Sequence, residues 1–216
     1  MSFINDTHLS PSALLIMGFG GHARSVADVA LACGYDELCF MDENAKEDER
    51  FLHFLVLKDV PLKAWSCVLA AGNNHRRAEQ MKEAEARGWI IQTLISPRAS
   101  QGVGSHIGMG NVIGHHAHVG PMAAIGHACI INTGAVVEHD CYIGDFCHVS
   151  VNATLCGQVV LGRRVFIGAG AIVRNGVTLV DDVMIGAGAV VVADINQPGT
   201  YIGTPARLIK PLINNA

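Results

Sequence analysis

The chain of 216 residues has no run of basic residues: its 15 Lys and Arg are scattered, and the formal net charge is −4. A nucleic-acid groove needs cationic side chains concentrated on one surface, so that class of partner is not expected. Half of the residues are apolar, yet no uninterrupted stretch approaches the roughly 18 that span a bilayer as a helix. The opening decapeptide MSFINDTHLS lacks the basic and apolar regions of an export leader. A soluble protein of the cytoplasm is expected.

What the chain does have is a period of six. An aliphatic residue recurs at every sixth position, fifteen times without a break, from Ile107 through Ile113, Val119, Ile125 and Ile131 to Ile185 and Val191. Neither the 3.6 of a helix nor the 2 of an ordinary strand fits this spacing. A fixed hexapeptide period is the mark of a parallel β-helix. Two residues before each beat, from Ala117 onward, stands a smaller apolar residue, such as Ala123, Cys129, Ala135, Cys141, Cys147 and Val159. Residues two apart on a strand share a face, so each hexad offers one large and one small inward side chain. Glycine often follows the beat, as at Gly108, Gly114, Gly120 and Gly144, and the other positions carry residues suited to turns. Fifteen hexads make five triangular coils, if three hexads close one turn, about 24 Å tall at the spacing of paired strands.

The register also assigns cysteines. Cys129, Cys141 and Cys147 fall in the small inward column, where a thiol acts as a small hydrophobe. Cys33, Cys39 and Cys67 lie in apolar stretches and are expected in a core, and only Cys156 escapes the pattern. Reduced, structural cysteines are expected.

Residues 1–96 read as a Rossmann-like α/β unit and 97–216 as the β-helix with its tail, the composition shifting near 96–104. LLIM (14–17) is a short strand entering GFGGHA (18–23) and a helix that Gly34 ends. LCFMD (38–42) and CVLAA (67–71) are further strands, a charged helix runs from about His75 to Arg87, and WIIQTLI (89–95) is a fourth strand. This order suggests a mostly parallel sheet with a ligand crevice at the strand C-termini. Gly18, Gly20 and Gly21 fit a loop whose backbone approaches a pyrophosphate at a helix N-terminus. Asp42 is placed to accept from a ribose hydroxyl or a base.

The repeat, the stretch NTGAVVEHD (132–140) followed by His148-Val149-Ser150, GFGGHA at 18–23 and GNNHRR at 72–77 together resemble the left-handed β-helix, hexapeptide-repeat acyltransferases. They look most like the branch that acetylates amino groups of nucleotide-linked sugars, of the bacillosamine- and perosamine-pathway type, with sialic-acid O-acetyltransferase-like proteins nearby. The resemblance implies the left hand of the coil, a homotrimer with active sites between neighbouring β-helices, and acetyl-CoA as co-substrate with no metal. It also implies a nucleotide-linked 4-amino-4,6-dideoxy sugar, UDP-linked by preference, as acceptor. A sugar hydroxyl acceptor, or a trimeric nucleotide-binding scaffold without catalysis, are the alternatives.

Acetyl transfer to an amine needs a base for the amine proton and donors for the oxyanion of the tetrahedral intermediate. Histidine suits the base near neutrality. His139, two residues past the inward Val137, should point outward between Glu138 and Asp140; the family pattern favours Asp140 as its partner. A solvated turn histidine is the alternative. Gly157 lies eighteen residues on, one coil higher in the same column, where its N–H would meet the thioester oxygen; a plain turn glycine is the alternative. His148, nine residues from His139, should face another side of the prism and meet it only across a subunit interface, ordering substrate or coenzyme or serving the interface itself. By resemblance, Ala187, Pro205 and Arg207 meet the coenzyme, with Lys210 also placed for its phosphates and a solvated basic terminus as the alternative. Asp42 and Glu43 then lie near the base, His22 near the sugar or ribose, and Asn73, Asn74 and Arg77 along the rim, with Arg24 a further pyrophosphate contact. The γ-class carbonic anhydrases share this solenoid but place two metal histidines five apart, and no pair in this repeat has that spacing.

Overall fold

A computed structural model describes residues 13–60 and 65–212; the decapeptide read for a leader lies outside the described residues. The N-terminal part is a sheet with two helices. β1 (Leu14–Met17) is fully buried and pairs in parallel with β2 (Leu38–Met41) and β5 (Ser66–Leu69). α1 (Gly21–Ala32) follows β1, and α2 (Asn74–Ala86) follows β5. β3 (Arg50–Phe51) and β4 (Phe54–Leu57) form a hairpin on the β2 side, and β6 (Ile90–Ile91) closes the β5 side, giving the order β3-β4-β2-β1-β5-β6. The chain therefore leaves β1 in opposite directions, and the C-terminal ends of β1, β2 and β5 open a crevice there.

The hairpin was not anticipated from sequence. Its turn is Leu52-His53, with Leu52 at φ 56°, and carries none of the Asn-Gly or Asp-Gly chemistry that announces a two-residue turn. The stretch WIIQTLI is not one strand. Ile90–Ile91 belongs to the N-terminal sheet, whereas Leu94–Ile95 pairs with Val112–Ile113 as the first rung of the solenoid.

From there the chain winds as a three-faced solenoid. Its first face holds rungs at residues 94–95, 112–113, 130–131, 148–149, 166–167 and 183–185. The second runs from 100–101 to 190–191 and the third from 106–107 to 178–179. Below the top of the solenoid each rung pairs in parallel and in register with the residue eighteen on, as Ile130 with His148 and Val136 with Thr154, whereas Val183 and Leu179 pair sixteen on, with Gly199 and Ile195. Both expected inward columns are buried, the small one wholly and the large one from Ile113 upward.

Two details explain the choice of residues. The left-handed backbone sits one position past the turn start, at His116, Met122, Ala128, Asp140, Phe146, Asn152, Gln158 and Arg164, with φ between 51° and 62°. The glycines that follow the beat serve a different need. A Cβ on Gly144 would lie 2.6 Å from the carbonyl oxygen of Gly162 in the next coil, and one on Gly120 would lie 2.7 Å from His139 N. They let successive coils touch. The wall cysteines also do more than fill space: the thiols of Cys129, Cys141 and Cys147 donate to the carbonyls of Gly144, Cys156 and Gly162, each fifteen residues on. Cys39 and Cys67 are buried as expected, but Cys33 is exposed, its thiol on the carbonyl of Ile95. No disulfide links any of the seven cysteines.

The N-terminal part packs on the first face, sharing its two cores with Leu94, Val112 and Ala128. A hairpin of Gly199–Ile202 and Arg207–Pro211 extends the same face above residues 183–185. No helix among the described residues is long and apolar enough to cross a membrane.

Candidate active site

The crevice at the strand ends has a volume of about 710 Å³. Gly18, Gly20, Gly21 and His22 line one side, Asp42 and Glu43 another, and Ala71, Gly72 and Gln80 the floor, with Lys58, Asp59 and Arg87 at the far end. Gly18 takes φ +107°, and a Cβ on Gly20 or Gly21 would meet nothing within 4 Å. The start of α1 thus presents bare backbone and a helix N-terminus, which suits a phosphate. Asp42 has a structural task of its own. Its Oδ2 accepts from Phe19 N at 2.8 Å and its Oδ1 from Asn44 N at 2.9 Å, so it ties the glycine loop to the β2 turn. The guanidinium of Arg24 lies 5.2 Å from the centre of the Phe19 ring, and Arg24 is absent from the crevice lining.

At the crevice base, two histidine rings approach with centroids 5.6 Å apart, His22 from the first turn of α1 and His148 from the first face. His148 Nδ1 lies 3.1 Å from the carbonyl oxygen of Gly72 and its Nε2 lies 3.2 Å from Asn132 Nδ2. A carbonyl only accepts, so the proton sits on Nδ1 and Asn132 donates to Nε2. Burial pushes His148 down to about 3, against the bond to Gly72, with the nearby positive charge potential of His22 and Arg77 adding to it. Burial and then Arg77 push His22 down to about 4. Both rings are neutral at pH 7. His22 Nε2 is buried without a hydrogen-bond partner among the described residues.

His139 lies elsewhere, on the corner between the second and third faces. Its Nδ1 meets Asp140 Oδ2 at 2.8 Å, and both side chains are about half exposed. The carboxylate fixes the proton on Nδ1 and leaves Nε2 bare. Asp140 is at φ 56°, a conformation that Asp tolerates better than most residues. One coil up is Gly157, where an added Cβ would fall 2.4 Å from His139 Nε2. Only a residue without a side chain lets the imidazole lie there.

The remaining expected residues divide. Asn73 caps α2, its Oδ1 accepting from Arg76 N. Asn74 and Arg77, expected along the rim, are instead buried, and Arg77 has no exposed surface. They turn away from the crevice because the carbonyls of the solenoid corners need donors (Asn74 Nδ2 to Arg164 O, Arg77 Nε to Ala128 O). His148 faces the Gly72 loop of its own chain. Ala187 is an exposed residue at a different corner from Gly157, between the first and second faces, and Pro205 and Arg207 are exposed in the terminal hairpin, where Arg207 Nη1 donates to the carbonyl of Ala206. Asn132 and Gln80 were missed. Gln80 donates to Met17 O and accepts from Ala71 N, but a glutamine inside a charged helix carries no mark of that task. Among the described residues no cluster of three or more His, Cys, Asp or Glu is arranged to hold a metal ion.

Comparison with known proteins accounts for the whole assembly. Residues 13–84 match the PglD N-terminal domain family. The acetyltransferase domain of PglB from Neisseria gonorrhoeae, in complex with acetyl coenzyme A, is 33% identical, with a TM-score of 0.84 over 92% of this chain and 99% of that one. PerB from Caulobacter crescentus, in complex with CoA and GDP-perosamine, is 34% identical, with a TM-score of 0.86 over 93% and 99%. WeeI from Acinetobacter baumannii, at 20% identity and a TM-score of 0.86 over 91% and 99%, shares the fold. Identity above 30% along nearly the full length of both chains, on this solenoid and this N-terminal unit, establishes that the chain belongs to the left-handed β-helix acyltransferases, in the branch that acetylates nucleotide-linked amino sugars.

Proposed function

We propose that this chain transfers the acetyl group of acetyl-CoA directly to the amine of a nucleotide-linked 4-amino-4,6-dideoxy sugar, with His139 as general base, in a homotrimer whose sites lie between neighbouring solenoids. The observation that carries the reading is the oriented His139–Asp140 pair facing the side-chain-free Gly157. His139 Nε2 takes the amine proton as the nitrogen attacks the thioester carbonyl, so the C–N bond forms and the charge moves to oxygen. The N–H of Gly157 receives that oxyanion. Collapse breaks the C–S bond, and the leaving thiolate takes the proton back from the imidazolium. Asp140 keeps the tautomer and offsets the imidazolium charge. An acyl-enzyme has no ready nucleophile in the wall: burial pushes the Cys141 thiol up to about 11 and holds the Cys147 thiol well above its ordinary range.

The crevice seats a nucleoside diphosphate, with the phosphates at the start of α1 and Glu43 and Asp42 toward the base. None of the residues lining it is His139, Asp140 or Gly157, because the crevice lies on the first face and His139 on the opposite corner. One chain therefore supplies each half of a different site, and a second copy completes it. With the trimer axis along the solenoid, a partner keeps its height. His139 belongs to the coil that begins at Ile130 and Gly157 to the coil that begins at His148, the level at which His22, Asn132 and His148 meet. The buried Nε2 of His22 at that level, without a hydrogen-bond partner among the described residues, would serve a sugar hydroxyl as donor or acceptor if the substrate reaches it. Exposed Tyr142, Val160 and Ile172 on the second and third faces suit burial between solenoids. The coenzyme then runs upward from Gly157 towards Ala187, Pro205 and Arg207. A donor of this kind places the reaction in the cytoplasm.

UDP is the nucleotide expected from the resemblance, and GDP its rival because the Caulobacter relative holds GDP-perosamine. Calorimetric titration with UDP, GDP and dTDP decides: tightest binding of UDP is expected, and tightest binding of GDP moves the assignment. Mass spectrometry of the product made with acetyl-CoA is expected to give an amide at the amine. An ester at a sugar hydroxyl would replace N- by O-acetylation, and no product would leave the scaffold alternative.

A further inference from the structure

The solenoid corners leave a column of outward carbonyls. Ala128, Phe146 and Arg164 stand exactly one coil apart at left-handed corners, and the N-terminal unit answers this column with two side chains. Arg77 Nε donates to Ala128 O at 2.7 Å, and its Nη2 donates to Phe146 O at 2.7 Å and Cys147 O at 3.1 Å. Asn74 Nδ2 donates to Arg164 O at 2.9 Å and Val165 O at 3.2 Å. The two are joined, Arg77 Nη2 donating to Asn74 Oδ1 at 2.8 Å. On its other edge Arg77 Nη1 holds Ala71 O at 2.8 Å and Gly72 O at 3.4 Å, the loop that floors the crevice. A buried guanidinium costs several kcal/mol to desolvate, and burial pushes Arg77 only down to about 10, so it stays charged among carbonyl dipoles. Beside the apolar contacts of Leu94, Val112 and Ala128, this polar network engages three successive coils at fixed spacing.

We infer that Asn74 and Arg77 are positioning residues that set the height of the nucleotide-binding unit on the solenoid, and thereby deliver the acceptor amine at the level of the partner's catalytic corner. The inference rests on the proposed acetyl transfer. A coil is about 4.8 Å high, and a displacement of 1 Å in a reacting group lowers rate by as much as about a hundredfold. The joint therefore matters for turnover more than for binding of either substrate alone, since the crevice residues and the coenzyme corner each stay intact.

The test compares Asn74→Asp and Asn74→Ser with the unmodified chain. Asp keeps the shape and the acceptor for Arg77 but loses both N–H donors to the corner carbonyls. In both variants kcat is expected to fall about tenfold, while the calorimetric Kd of the tightest-binding nucleotide and the KM of acetyl-CoA stay within about twofold. Arg77→Lys, which cannot span the two corners with a planar fork, is expected to fall further. Unchanged kcat in folded Asn74 variants overturns the inference alone. So does a fall in kcat that is matched by equal losses in nucleotide affinity and melting temperature, the pattern of general loosening. Absence of acetyl transfer by the unmodified chain overturns the function and the inference together.

Discussion

Single residues decide the chemistry and the sensitivity of this protein to acid. His22 and His148 stay neutral in the folded chain down to about 4 and about 3, whereas their ordinary value is 6.5. Below that value the unfolded chain takes up protons that the folded chain refuses, so the stability from both histidines is present above pH 6.5 and is lost as the pH falls towards the folded values. Linkage gives about 2 kcal/mol for each at pH 5. Urea unfolding is expected to show that loss between pH 8 and pH 5, with a shallower slope in His148→Gln; equal slopes would mean that His148 is not the neutral, carbonyl-bound group described. At this scale the sequence was partly legible. The register sent His139 to an exposed corner and put Gly157 beside it, because a strict period fixes both direction and height. Nothing in a period tells that Asn74 and Arg77 face the solenoid, since their acceptors are backbone carbonyls that any sequence would supply.

At the scale of the element, the hexad is a coil built to touch its neighbours. The inward columns were readable because apolar spacing encodes burial. The purpose of the glycine after the beat was not, because a glycine that permits a turn and one that permits close approach look alike in sequence. The structure separates them: glycines such as Gly134 and Gly170 take left-handed corners that Asp, Asn, Arg and even Phe take elsewhere, while the glycines after the beat face the backbone of the next coil. Gly144→Ala is therefore expected to lower stability by about 1–3 kcal/mol through forced displacement of the next coil, read from the denaturant midpoint. The same substitution at Gly170, where φ is +65° and no atom stands within 4 Å, acts through the backbone conformation alone. A smaller effect at Gly144 than at Gly170 would contradict the close-approach account. The hairpin β3–β4 escaped the sequence for the complementary reason, its turn carrying neither Gly nor Asn.

For the molecule as a whole, an α/β nucleotide unit and a solenoid were legible as separate patterns, from strand-turn-helix order in one and from the period in the other. How they dock was not, because the apolar contacts at Leu94, Val112 and Ala128 carry no pattern of their own and the polar ones rest on single side chains such as Arg77, Asn74 and His148. That joint puts the crevice on one face and the His139 corner on another, and the proposed acetyl transfer requires the two to meet in an assembly. The most direct measurement is turnover of a nucleotide-linked 4-amino-4,6-dideoxy sugar with acetyl-CoA, followed as thiol release, in the unmodified chain and in His139→Asn. The account predicts release matched by N-acetylated product in the unmodified chain. In His139→Asn, kcat should fall about a hundredfold to ten-thousandfold, with nucleotide affinity little changed. Undiminished kcat in His139→Asn would contradict it.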